Sequence, residues 1–272
     1  MKIPNFIYGT AWKEDDTAPL VRLAIESGFR AIDTANQRRH YFEAAVGDAV
    51  AAAIHDGIVR RDDLFLQTKF TYVDSQDHRL PYDAKADPAT QVEQSFASSL
   101  DHLHVDVIDS YILHGPSQRR GLGDIDKNVW RAMEALQSSG KTRHIGISNV
   151  ALDQLQELLD VATVKPSFVQ NRCYAQLGWD RAVRTFCREH DIVYQGFSLL
   201  TANVRQLQRR EFWQIVDRVE KTPAQVVFRF AMQAAMLPLT GTSNREHMMQ
   251  DLDVNGFELT GDEMRTIETI AL

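Results

Sequence analysis

Eight short apolar runs, each followed by a stretch with helical spacing, constrain this chain more than anything else in it. The runs fall at 6–9, 31–35, 64–70, 107–113, 144–148, 168–173, 192–197 and 237–239. Between them apolar residues recur every three or four positions, as at Leu20, Leu23 and Ala24, at Val92, Phe96 and Leu100, and at Leu152, Leu155 and Leu159. That spacing lays one apolar stripe along a helix. Asp87 before Pro88 predicts a capped helix start with proline in its first turn. Thr222 with Gln225, and Thr260 with Glu263, predict capping boxes. Such alternation specifies a parallel sheet with helices outside it. Eight units predict closure into an α/β fold of the TIM type, a (β/α)8 barrel forming one domain over 1–272 with a short C-terminal extension. An open doubly wound sheet would carry a G-x-G-x-x-G turn after its first strand, and "YGTAWKEDD" has a single glycine there.

Composition narrows the function classes. The 272 residues carry a formal net charge of -7, which argues against nucleic acid or an anionic membrane surface as a partner. Only Cys173 and Cys187 are present, so a disulfide framework and a cysteine zinc site are not expected, and no metal is. No apolar stretch reaches 18 residues. The reading is a cytoplasmic, monomeric protein acting on a small molecule.

In a barrel of this kind, polar residues at the C-terminal ends of the strands point into the mouth where chemistry happens. Asp33, Lys69, His114, Ser148, Asn149, Gln170 and Ser198 all close strands that are otherwise apolar. A buried charge is costly unless paired, so Asp33 and Lys69 are expected to pair with each other. Tyr41 stands just beyond, at a helix entrance. Taken singly, Asp33 reads as a structural ion-pair member, His114 as a core histidine, and Tyr41 as a packing residue with a wet hydroxyl. Their convergence at one rim is what points to catalysis. His102 and His104 read as structural, since no ligand cluster accompanies them.

The segments "GFRAIDTA", "VGDAV", "LFLQTKF", "DVIDSYILHGP", "GKTRHIGISN", "FVQNRCY", "TPAQVVFRFAMQ" and "TGTSN", in this order, resemble the aldo-keto reductase superfamily over the whole chain. The resemblance implies a catalytic set of Asp33, Tyr41, Lys69 and His114. Tyr41 would protonate the carbonyl oxygen, its pKa lowered by the Lys69 ammonium, which Asp33 holds in place; His114 would orient the carbonyl. It also implies a nicotinamide cofactor, NADP(H) ahead of NAD(H), held by Ser148, Asn149, Gln170, Phe197, Ser198, Leu199, Gly241, Thr242, Ser243, Arg245 and Gln250. Trp12, Tyr72 and the loop 115–125 would shape the substrate pocket, left open by the short C-terminal end.

Two positions depart from the family pattern. Arg38 stands where many members have the tyrosine, and the loop before Val46-Gly47 is about two residues longer, with His40 beside Tyr41. At the adenosine end, Gly241 and His247 stand where NADPH-preferring members carry lysine and arginine, which leaves Arg245 for the 2′-phosphate. Two other classes remain at this stage: a Schiff-base aldolase or lyase using Lys69, and a non-enzymatic nicotinamide-binding redox sensor.

Overall fold

The computed structural model describes residues 4–271. Its elements run β1 (Ile7–Gly9), α1 (Thr17–Ser27), β2 (Ala31–Asp33), α2 (Glu43–His55), β3 (Phe65–Phe70), α3 (Pro88–Leu103), β4 (Ile108–Leu113), α4 (Asp124–Ser138) and β5 (Thr142–Ser148). They continue as α5 (Leu152–Val161), β6 (Phe168–Arg172), α6 (Arg181–Glu189), β7 (Val193–Phe197), α7 (Arg210–Val219), α8 (Pro223–Gln233), β8 (Met236–Thr240), α9 (Arg245–Leu252) and α10 (Gly261–Glu268). All eight strands are parallel and pair in chain order, and β8 pairs back to β1 to close the barrel. The expected (β/α)8 barrel is therefore the fold. Each sequence run overlaps a strand: six strands lie inside their runs, shorter by a residue or two, while β5 and β8 extend one or two residues beyond theirs. Helices α7 and α10 are additions to the eight-fold plan.

The predicted caps form. Asp87 accepts from the amides of Ala89 and Thr90 at 3.1 Å, ahead of Pro88. Thr222 and Gln225 exchange bonds at 3.2 and 3.0 Å, and Thr260 and Glu263 at 3.3 and 2.7 Å.

Strand alternation divides the core in two. Ile32, Leu66, Tyr111, Val169 and Tyr194 face outward into the layer between barrel and helices. Ala31, Phe65, Ile112, Phe168, Leu237 and Leu239 fill the barrel interior with Ile7. Moving two residues on along β2, β3, β6 and β7 keeps the same inward face, and there the side chains become Asp33, Gln67, Gln170 and Gln195, all buried. The interior thus changes from apolar to polar toward the C-terminal mouth.

Helix α2 carries Tyr41 at its entrance, and its position is set by close packing on α3. A Cβ built on Gly47 would lie 1.9 Å from the His102 carbonyl oxygen and 2.7 Å from the Leu103 Cα. Around that contact Glu43 bonds His102 at 2.8 Å, and Asp48 bonds His104 at 2.8 Å. The two histidines join helices, as the structural reading expects. Gly47→Ala should lower stability by about 1–3 kcal/mol, because backbone has to move to admit the methyl. Gly256→Ala, whose Cβ would meet nothing nearer than 3.9 Å, should be close to neutral. Thermal melting of the two variants side by side checks this, and equal melting temperatures would contradict it.

Candidate active site

The C-terminal mouth opens on a cleft of about 850 Å3 whose lining includes Trp12, Tyr41, His247 and Asp251. Its deepest polar feature is the pair expected from sequence. The Lys69 Nζ donates to both Asp33 carboxylate oxygens at 2.7 and 2.6 Å and to the Thr34 carbonyl at 2.7 Å. All three ammonium protons are thereby used. Burial pulls the Lys69 pKa below its ordinary value, and the Asp33 charge works against that pull.

Asp33 is further held by linked side-chain amides, of which sequence reading singled out Gln170 and missed Gln67 and Gln195. Gln67 donates to its Oδ1 at 2.7 Å and Gln170 at 3.0 Å. Gln195 accepts from Gln67 at 2.8 Å and from Gln170 at 2.9 Å, and donates back to the Gln67 Oε1 at 2.9 Å. The signal was present in the strand period. Gln67 lies two residues before Lys69, and Gln195 two before Phe197, so each shares the inward face.

Tyr41 lies against this pair. The Lys69 Nζ sits 5.1 Å from its ring centroid, and the His114 ring packs edge-on at 5.9 Å. The Tyr41 pKa is raised by burial first and by the Asp33 charge second, with Arg172 acting the other way. This differs from the expected lowering by Lys69, and the reason is geometric. The ammonium gives its protons to Asp33 and Thr34, so the phenol receives no hydrogen bond from it and is left next to a nearly neutralised pair.

His114, at the end of β4, is pushed down to about 3 by burial and by the Lys69 charge. Its Nδ1 lies 2.7 Å from the Thr71 hydroxyl, a second contact missed in the sequence, where Thr71 follows the β3 run. The imidazole is neutral at physiological pH and keeps Nε2 outside the Thr71 bond.

At the tyrosine position, Arg38 and His40 both lie away from Lys69. Arg38 stacks on Phe42 at 4.0 Å and faces Glu14 at 3.7 Å, outside the cleft lining. His40 lines the cleft but packs on the Trp12 indole with centroids 4.0 Å apart, at the rim. Tyr41 is the one that meets Lys69 and His114.

Ser148, Asn149, Gln170, Phe197, Ser198, Leu199, Gly241, Thr242 and Gln250 all line the same cleft. Ser148 donates to the Gln170 carbonyl at 2.6 Å, and Asn149 to the His114 carbonyl at 2.8 Å. Ser243 and Arg245 stand outside the lining, exposed at the start of α9. The amides there are engaged already: Asn244 accepts from Glu246 N at 2.8 Å and from His247 N at 3.1 Å. Lys13, also missed, donates to the Gly241 carbonyl at 2.7 Å, and Tyr8 to that of Thr242 at 3.0 Å. Tyr72 is not in the lining: its hydroxyl donates to Asp126 at 2.8 Å. Asp126 also accepts from Ser117 and Gly123, fastening the loop 115–125 away from the cleft. Of the residues expected to shape the pocket, Trp12 lines it.

Three non-glycine residues on this rim hold left-handed backbone: Trp12 (φ 64°), Asn149 (φ 50°) and Ser198 (φ 56°). Such conformations cost of order 1 kcal/mol each and gather at functional sites. Among the described residues no cluster of three metal-ligating side chains exists, and no helix is long and apolar enough to cross a membrane.

A closed (β/α)8 barrel with its polar residues gathered at the C-terminal mouth defines an enzyme of the barrel class. The Aldo/keto reductase family model matches residues 6–272, and the chain belongs to that family. It is 28% identical to prostaglandin F synthase 1 of Bos taurus, covering 98% of this chain and 87% of that one. It is 28% identical to glyoxal reductase of Bacillus subtilis, covering 92% and 82%. A solved aldo/keto reductase from Brucella melitensis superposes with a TM-score of 0.83 at 25% identity, over 98% of this chain and 94% of that one. The structure of Gox0644 in its apo form gives 0.81 at 27% identity, over 99% and 90%. The family fixes the broad chemistry: an oxidoreductase that reduces carbonyl compounds with a nicotinamide cofactor. The residues present fit such a cofactor. The cleft has the size of a large-ligand site, and Ser148, Asn149, the Phe197 ring, Ser198 and Thr242 all line it.

Neither Tyr41 nor His114 changes charge between pH 5 and 9, since the one titrates above that range and the other near 3. The rate of carbonyl reduction at saturating cofactor should show no inflection from either group in that window. An inflection near pH 6.5 that disappears in His114→Gln would contradict the neutral imidazole.

Proposed function

We propose that the protein reduces aldehydes and ketones to alcohols with NADP(H), with Tyr41 as the proton donor. The observation that carries this is the grouping of Tyr41 with Lys69 and His114 over a buried Asp33. When bound, the nicotinamide supplies hydride to the carbonyl carbon, and the oxygen then needs a proton. Tyr41 holds that proton at its hydroxyl throughout the physiological range, because burial and Asp33 oppose the phenolate. Charge developing on the oxygen is the event that draws the proton off, and the Lys69 ammonium stabilises the phenolate left behind by its field. His114, neutral and fixed by Thr71, orients the oxygen through Nε2. Asp33 keeps Lys69 charged and in place.

For the cofactor, Ser148, Asn149 and Gln170 are suited to the carboxamide, Phe197 to the nicotinamide face, and Ser198 with Leu199 to the pyrophosphate. Gly241, Thr242, Ser243 and Gln250 would meet the adenosine end. Preference for the 2′-phosphate rests on Arg245, exposed at the head of α9. With the α9 amides already capped by Asn244, that side chain has to provide the charge. A Schiff-base role for Lys69 has no support, since an ammonium with three acceptors is a poor nucleophile.

Tyr41→Phe should reduce turnover by about 10^2- to 10^4-fold, as loss of a general acid does, while cofactor binding followed by protein fluorescence stays unchanged. Full activity in that variant would move the donor elsewhere. Arg245→Ala should raise the KM for NADPH about 10-fold, the scale of one charged phosphate contact, and leave that for NADH alone. An equal effect on both cofactors would remove Arg245 from the 2′-phosphate.

A further inference from the structure

Arg172, the last residue of β6, is the cation that the mechanism leaves unused. It shares the inward face with Phe168 and Gln170, lines the cleft, and is exposed to it. Its guanidinium rests 5.4 Å from the centre of the Phe197 ring, its register partner on β7. Among the described residues it forms neither an ion pair nor a side-chain hydrogen bond. The two carboxylates in the cleft wall are committed elsewhere, Asp33 to Lys69 and Asp251 to the Thr240 hydroxyl at 2.8 Å. A guanidinium presents up to five donors in a planar fork suited to a carboxylate. Here that fork faces a ligand-sized space in a chain whose net charge is -7.

Its position favours substrate over cofactor phosphate. Arg172 and Tyr41 line the same cleft, and the Arg172 charge favours the Tyr41 phenolate. The groups suited to the 2′-phosphate lie after β8, while Ser198 and Leu199, suited to the pyrophosphate, follow Phe197 on the neighbouring strand, so the KM of NADPH is read beside that of the substrate. An anion held by Arg172 would therefore sit within a few bonds of a carbonyl presented to Tyr41 and His114. The aromatic surfaces of Trp12, His40 and Phe197 line the same cleft and suit a flat ligand body.

We propose that Arg172 determines specificity by binding the carboxylate of the carbonyl substrate, so that the preferred substrates are carboxylated aldehydes and oxo acids. This rests on the reductase reading above.

The test compares 4-carboxybenzaldehyde with methyl 4-formylbenzoate, whose carbonyls are alike and whose charges differ, in the wild type, Arg172→Gln and Arg172→Lys. The wild type should favour the acid in kcat/KM by about 10-fold or more. Arg172→Gln should lose about 10- to 100-fold on the acid, mostly in KM, and less than about 3-fold on the ester. Arg172→Lys should recover part of the loss. Equal losses on both compounds, a rise in the KM of NADPH common to both, or no preference in the wild type would each overturn the proposal. Calorimetric titration with benzoate decides the point without turnover. Binding lost in Arg172→Gln supports the assignment, and binding absent or unchanged rejects it. A wild type that reduces neither aldehyde would count against the reductase reading, and the benzoate titration would still judge Arg172.

Discussion

The arrangement depends on one buried ion pair. Asp33 and Lys69 have no water to satisfy them, and idealised desolvation of such charges is worth many kcal/mol. They persist because the site is saturated: Lys69 has three acceptors, and Asp33 accepts from Lys69, Gln67 and Gln170. Removing one partner would strand the other, at a typical cost of about 3–5 kcal/mol. The pair ties β2 to β3 directly, and the ring of glutamines extends the tie across the barrel to β6 and β7. The pair is thus held by four strands of a closed barrel, a rigid frame, with the Thr34 carbonyl just past β2 as its one partner outside them.

That rigidity explains how the proton is handled. A lysine hydrogen-bonded to the phenol would lower its pKa and share its proton. Here the ammonium is fully engaged below, and burial with the Asp33 charge keeps the Tyr41 phenol protonated in the resting site. His114 follows the same logic: burial and the Lys69 charge keep it neutral, so it can orient without competing as an acid. Burial keeps both neighbours uncharged, aided by the Asp33 charge at Tyr41 and by the Lys69 charge at His114.

The fold was legible because its signals are local and repeated. Each strand run and each cap is decided within a few residues, and errors in one unit do not spread to the next. The ion pair was legible because two charges in apolar strands have few ways to be tolerated. Less legible were residues whose role depends on partners far along the chain. Gln67 and Gln195 look like ordinary strand residues until the barrel closes and brings β3 and β7 within one hydrogen-bond ring. Tyr72 looks like a pocket residue from its place after β3, but Asp126 on α4 draws its hydroxyl away. In each case a tertiary partner outcompetes the local expectation.

The longer β2–α2 loop shows how a departure from a family pattern can leave the chemistry intact. Two extra residues would displace the tyrosine if the helix start were fixed by the loop. It is fixed instead by packing: Gly47 sits against the α3 backbone, and Glu43 reaches His102, Ser99 and Thr68. The added length is therefore absorbed upstream, where Arg38 turns out onto Phe42 and His40 folds back under Trp12. Trp12 accepts a left-handed backbone there, its amide bonding the His40 carbonyl at 2.7 Å. A conformation that costs of order 1 kcal/mol is offset by one hydrogen bond and one aromatic stack of similar size. The insertion thus alters the rim at Trp12 and His40 and leaves Tyr41 packed against Lys69 and His114.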